Sequence, residues 1–319
     1  MNPRTGFDMA DISFPMPPGA CDCHTHVFPN DPRFPFSPAR KYTPPFASVE
    51  QLCSLLDRQR LQRVVIVQPS VYGADNSATL HAVEAIGQRR ARAVAVIGGD
   101  TSGAQLDTLH AAGVRGVRVN LEMLGESDPG RCGALLRHTA RQIAGRGWHM
   151  QIYSRLEVVA ALSDVIAALD VPVVLDHFAR ARANAGPAQP GLEAIFRLMG
   201  EGRVYVKLSA PYLCTQSDAD RAGLGAIARA FIAANEQRVV WASNWPHPGA
   251  SHDGKPDLTR ISAPYAVNDG ELLNLLGEWA PDPTMRQCIL VDNPARLYDF
   301  DDDLACDSGV DTCGTSAAE

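Results

Sequence analysis

The sequence predicts a (β/α)₈ barrel, the TIM barrel of the α/β class, on three observations. Eight short β-branched runs recur, each followed by a stretch with apolar residues at three- and four-residue spacing. Polar residues gather at the C-terminal ends of those runs, which converge on one mouth in a barrel and spread along a line in an open sheet. No GxGxxG or P-loop follows any run, which weighs against an open nucleotide-binding sheet.

The runs predict strands over 20–27, 63–68, 93–97, 116–120, 149–153, 171–176, 204–209 and 239–243. Helices are predicted over 48–58, 76–88, 101–112, 132–144, 156–169, 191–200, 217–235 and 271–279. A Pro- and aromatic-rich loop, 29–44, follows the first strand and is placed to fold over the mouth. A second long loop, 246–269, follows the eighth. Residues 1–16 read as an N-terminal extension, 17–299 as the barrel, and 300–319 as a flexible acidic tail.

The chain has 319 residues with a formal net charge of −7. That length suits one barrel, and that charge argues against nucleic acid or an anionic membrane as a partner. The first residues lack a continuous apolar core, and no run of ~18 apolar residues occurs. The expected location is therefore the cytoplasm, as a monomer or small homo-oligomer. Eight scattered cysteines do not form a disulfide framework, and Cys21 and Cys23, two apart in an extended strand, lie too far apart to bridge.

His24 and His26 stand two apart where the first strand meets its loop, so they share one face. Two imidazoles there suit either metal ligation or hydrogen bonding to a substrate oxygen. His177 closes the sixth strand, as a third mouth imidazole or a structural one. Asp176 alternates to the opposite face and reads as a supporting or helix-packing carboxylate. Arg118 and Asn120 end the fourth strand; an arginine there meets a carboxylate, either the protein's or a substrate's. Tyr153 ends the fifth, as a hydrogen-bond donor or a packing residue. Asn244 and His247 follow the eighth, as functional groups or turn formers. Tyr42, Ser70, Arg180 and Lys207 are weaker candidates, and Lys207 also reads as a buried, paired lysine.

Seven motifs, in this order, resemble the amidohydrolase-2 family. They are Cys21-Asp-Cys-His-Thr-His-Val-Phe28, Gln68-Pro-Ser-Val-Tyr-Gly-Ala-Asp-Asn76, Gly116-Val-Arg-Val-Asn120, Leu175-Asp-His177, Val206-Lys-Leu-Ser-Ala-Pro-Tyr212, Asn244-Trp-Pro-His-Pro248 and Asp292-Asn-Pro-Ala-Arg-Leu-Tyr298. Within it the chain is similar to the 2-pyrone-4,6-dicarboxylate lactonases, a likeness that Phe34-Pro-Phe-Ser-Pro-Ala-Arg-Lys-Tyr-Thr43 shares, and to the galactarolactone isomerases. The resemblance runs from about residue 17 to 299.

That resemblance implies a lactone hydrolase or isomerase whose histidines and tyrosine surround the lactone carbonyl, with arginines on the carboxylates and no metal. The chain departs from the pattern at three places. Asn244 replaces an aspartate that activates water, and an amide cannot accept that proton. Strand five ends Gln151-Ile-Tyr153 with no histidine at its mouth end; with the strand-eight carboxylate also gone, a metal would have only His24, His26 and His177, and no carboxylate or carbamylated lysine to bridge two ions. Leu213 stands where many relatives carry a carboxylate-binding arginine.

The resulting expectation is a metal-independent hydrolase of a small carboxylated lactone. Its expected catalytic residues are His24, His26, Tyr153, His177, Asn244 and His247. Tyr42, Ser70, Arg118, Asn120 and Arg180 are expected to bind substrate. In the alternative with one divalent metal such as zinc, His24, His26 and His177 hold it. Lactone isomerisation competes with hydrolysis because of Asn244. A non-catalytic ligand-binding barrel and a metal-dependent decarboxylase are the further alternatives.

Overall fold

Eight parallel strands form the inner wall of the molecule, which a computed structural model describes over residues 9–249 and 257–301. They are β1 (Cys21–Thr25), β2 (Arg63–Val67), β3 (Ala91–Ala95), β4 (Val114–Asn120), β5 (His149–Tyr153), β6 (Val173–Leu175), β7 (Val204–Ser209) and β8 (Val239–Ala242), adjacent in chain order. Just past β8 the barrel closes on β1: Asn244 N donates to His24 O at 2.9 Å, and His26 N donates to Trp245 O at 2.8 Å. The barrel prediction is thus met, with strand ends moved by up to two residues.

Helices alternate with the strands because their sequences carry start signals. Ser48 and Gln51 form a capping box on Val49–Gln59, and Ser102 and Gln105 form another on Gly103–Ala111. Asp128 caps Pro129–Ile143, with a proline at its first turn. The helix expected over 156–169 is two, Leu156–Ala161 and Ser163–Ala167. The one expected over 217–235 begins as a 3₁₀ turn and is α-helical over Arg221–Ala234.

The main core lies between strands and helices, where buried Leu, Ile and Val side chains contribute about 1.5–3 kcal/mol each. A second cluster fills the barrel itself: Cys21, Val65, Val94, Val174, Tyr205 and Val240 pack on Leu297, Tyr298 and Phe300. Phe300 also lies under the guanidinium groups of Arg63 and Arg92. The barrel therefore extends past residue 299, and 302–319 of the expected tail lie outside the described residues. At the other terminus, Ile12, Phe14 and Met16 pack on the core, and Ser13 N donates to Asn274 Oδ1. The described part of the expected extension is a docked segment.

The two long loops cover the mouth together. Phe28, Phe34, Phe36, Tyr42 and Tyr72 form an aromatic cluster. Thr43 Oγ1 donates to Leu258 O at 2.7 Å, and Ser262 N donates to Thr43 O at 2.8 Å. Among the described residues no helix is long and apolar enough to cross a membrane.

Candidate active site

Strand alternation alone does not aim His24, in β1, and His26, just past its end. The β1–β2 register advances from Asp22 opposite Val64 to Thr25 opposite Ile66, three residues against two. This β-bulge shifts the side-chain phase, as bulges beside active sites commonly do. Cys21 and Cys23 face the barrel interior, and beyond the bulge His24 and His26 do so as well. Their Nε2 atoms lie 3.3 Å apart.

A second backbone device sits after β6. His177, Phe178, Ala179 and Arg180 all have positive φ, between 51° and 59°. Each such residue costs about 1–2 kcal/mol when it carries a Cβ. The turn breaks strand alternation, so Asp176 and His177 both reach the barrel centre. The expectation that Asp176 serves the opposite face is corrected: it lies against His24, which Cβ alternation could not foresee. Asn244 and His247 also have positive φ, 66° and 58°. Strain of this kind concentrates at functional sites.

Asp176 organises the centre. Its Oδ1 lies 3.2 Å from His24 Nδ1 and 3.6 Å from Lys207 Nζ, and its Oδ2 accepts from Gln151 Nε2 at 3.0 Å and Arg118 Nη2 at 3.4 Å. Burial opposes its ionisation, but His24, Lys207 and the other donors outweigh that and hold the carboxyl well below its usual range. Lys207, fully buried, also donates to Gln151 Oε1 at 2.7 Å and Cys23 O at 2.9 Å. Its sequence reading as a buried, paired lysine describes it well.

Burial keeps the imidazoles neutral: His26 and His177 fall to about 3, and His24 falls well below its ordinary value. His26 Nδ1 lies 2.7 Å from the carbonyl of Val67 and must donate there, so a neutral His26 offers Nε2 only as an acceptor. That changes its expected part: His26 suits an O–H group rather than a carbonyl oxygen. His177 Nδ1 pairs with Ser209 Oγ at 2.8 Å, leaving Nε2 to the mouth.

Tyr153 stands between Arg118 and Arg180, 5.6 Å and 5.4 Å from its ring centre. Arg180 Nη1 donates to its hydroxyl at 2.8 Å, and burial pushes the phenol up to about 12. Tyr153 therefore stays protonated with its own O–H free to donate. Tyr42 is bonded to Ser70 and feels the charge of Arg118. Asn120 lines a cavity beside Arg118, but its side-chain carbonyl oxygen is taken up by capping Met123 N at 3.0 Å.

The cavity beside Arg118 has a volume of about 410 Å³. Its lining combines polar Lys41, Ser70 and Arg118 with an apolar set, Val96, Ile97, Val119, Met123, Leu124 and Leu135. Among the described residues, buried Arg118 Nε has no hydrogen-bond partner.

Across the mouth, Asn244 Nδ2 donates to Tyr212 Oη at 2.9 Å, and Tyr212 Oη lies 3.2 Å from His247 Nδ1. His247 Nε2 lies 2.9 Å from Asp269 Oδ1. Sequence reading named Asn244 and His247 but assigned no part to Asp269, which begins the helix Asp269–Trp279 and lies 22 positions beyond His247. No local signal joins the two.

Metal ligation can be judged from the donor set. Among the described residues, His24, Asp176 and His177 have donor atoms all within 4.8 Å of one another, a set that brings in Asp176 and leaves out His26. Both oxygens of that carboxylate already face donors, and the Lys207 and Arg118 cations lie within 3.6 Å of it. A divalent ion would add two charges where one carboxylate already faces two cations. The atoms are of the right type, but the charge does not fit.

The profile of the amidohydrolase family matches residues 21–300. The chain is 36% identical over 296 residues to a 2-pyrone-4,6-dicarboxylate hydrolase of Comamonas testosteroni, covering 89% of this chain and 92% of the relative. It is 32% identical over 290 residues to a 4-sulfomuconolactone hydrolase of Hydrogenophaga intermedia, covering 90% and 91%. It is also 28% identical over 292 residues to a D-galactarolactone isomerase of Agrobacterium fabrum (strain C58 / ATCC 33970), covering 88% and 91%.

Proposed function

Since the chain belongs to the amidohydrolase family, we propose that it hydrolyses a small lactone bearing a carboxylate, without a bound metal. The observation that carries this is Arg118, a buried guanidinium whose Nε–H has no partner among the described residues, lining a cavity with Lys41 and Ser70 and lying 5.6 Å from the Tyr153 ring centre. A buried charged donor without an acceptor is costly, and a substrate carboxylate supplies one.

In this reading Arg118 anchors the carboxylate, with Tyr42 and Ser70 beside it. Tyr153 and His177 donate to the ring carbonyl and stabilise the oxyanion that forms on attack. His26, an acceptor, holds the attacking water. The ring C–O bond then breaks and the ring oxygen takes a proton. The charge balance around Asp176 supports a reaction that runs on these side chains alone. The same reading places the chain in the cytoplasm as a monomer or small homo-oligomer, with no nucleic-acid partner.

Lactone isomerisation is the second reading, favoured by Asn244 and by the isomerase relative. The apolar wall of the cavity favours hydrolysis of a less hydroxylated ring, because hydroxyls against Val96, Ile97 and Val119 would lose their hydrogen bonds to water.

The test follows candidate lactones by ¹³C NMR with protein dialysed against a chelator. Conversion of the lactone carbonyl to a second carboxylate is expected. Ring-size exchange without loss of lactone overturns hydrolysis in favour of isomerisation. Activity lost on chelation and restored by zinc overturns metal independence. If the second reading holds, Asn244→Asp is expected to introduce hydrolysis into the isomerase, read as free diacid in the same spectra.

A further inference from the structure

We propose that Tyr212, His247 and Asp269 form a proton relay that serves the attacking oxygen in place of a carboxylate at position 244. The proposal rests on the hydrolytic reading above.

With a neutral His247, the hydrogen bonds admit one proton arrangement. Asp269 Oδ1 accepts from His247 Nε2–H at 2.9 Å, which leaves the neutral ring a lone pair on Nδ1. Tyr212 O–H donates to that lone pair at 3.2 Å. Asn244, with no proton to give or take as a base, donates Nδ2–H to the same phenol oxygen at 2.9 Å. Asn244 therefore marks where the chain begins, and the phenol oxygen keeps room for one more donor, the attacking water.

The backbone is built to hold this geometry. Asn244 and His247 both take positive φ, and His247 N donates to Asn244 O at 2.8 Å. Tyr265 stacks on Tyr212 with ring centres 4.4 Å apart, and its N–H donates to His247 O at 2.9 Å. His247 is buried, and its carboxylate partner is mostly so. A loop staple would need the His247–Asp269 pair alone; the phenol bonded to both His247 and Asn244 is what a relay requires.

The step balances. Water oxygen bonds to the lactone carbonyl carbon, and the carbonyl π pair moves onto its oxygen. The water proton passes to Tyr212 Oη as the phenol proton passes to His247 Nδ1. Asp269 faces the imidazolium so formed. When the ring C–O bond breaks, the proton returns through Tyr212 to the ring oxygen, and one water has been added. Burial raises the Tyr212 phenol, so a shuttle that never leaves a free phenolate is the accessible route.

The test compares Tyr212→Phe, His247→Gln and the double variant, each checked for folding by thermal melt. Each single change is expected to lower kcat by about 10²–10³-fold with KM within a few-fold. The double variant is expected to be no worse than either single one, since the residues act as a unit. Proton inventory in H₂O/D₂O mixtures is expected to curve in the wild type and be linear in Tyr212→Phe. Without substrate, ¹⁵N NMR is expected to show His247 protonated at Nε2, with its Nδ1 resonance moved by Tyr212→Phe. Unchanged kcat in an active, folded Tyr212→Phe protein overturns the relay alone. So do multiplicative losses in the double variant, or a His247 protonated at Nδ1. A wild type that opens no lactone overturns the hydrolytic reading, and the relay with it.

Discussion

Asp176→Asn is expected to destabilise the fold by about 3–5 kcal/mol and to lower kcat/KM by at least about 10³-fold. The substitution keeps the shape of the side chain and removes its charge. Lys207 and Arg118, 3.6 Å and 3.4 Å from the carboxylate, would then be buried cations with no counter-charge. Breaking a buried ion pair from one side costs about that much because the remaining charge stays desolvated. Activity falls further than stability explains, because His24 and Arg118 both lose the group that orients them. Urea denaturation reads the first effect and steady-state kinetics the second. Adding Lys207→Met is expected to recover stability without recovering activity. A single variant within about 1 kcal/mol and tenfold of wild type would show that Asp176 does not organise the centre.

The same residue shows how far the sequence could be read. Eight strands and most of their helices were legible because apolar periodicity is a local signal. Arg118 and Tyr153 were legible as mouth residues because strand ends point there. The bulge in β1 was not, since it depends on register against β2. Nor was the left-handed run from His177 to Arg180, which contains no glycine to announce it. Both devices act on direction, so neither the face of Asp176 nor the hydrogen-bonding part of His26 could be read from strand alternation. Tyr212 lay inside a recognised motif without a role, and Asp269 was invisible because its partner is set by tertiary packing alone.

Acid is expected to unfold this protein between about pH 4 and 5, well above the range where carboxylates alone would do so. His26, His149 and His177 are each buried and lowered to about 3, and burial lowers His24 well below its ordinary value. A group whose folded pKa is depressed contributes stability above its unfolded pKa, here 6.5, and that stability is lost as pH falls. Each such histidine loses about 1.4 kcal/mol per pH unit below that point. Asp22 opposes the trend: burial raises it to about 6, so the stability its ionisation costs is regained as pH falls from that value towards its unfolded 3.8. Four histidines against one carboxyl leave a net uptake of about three protons on unfolding, or about 4 kcal/mol per unit near pH 5. From pH 7 to 5 the loss comes to about 6 kcal/mol, a large share of a typical 5–15. Denaturant titrations at stepped pH give this slope directly. A slope near zero between pH 6 and 5 would mean that the mouth histidines are charged in the folded protein, and the neutral acceptor role of His26 would fall with it.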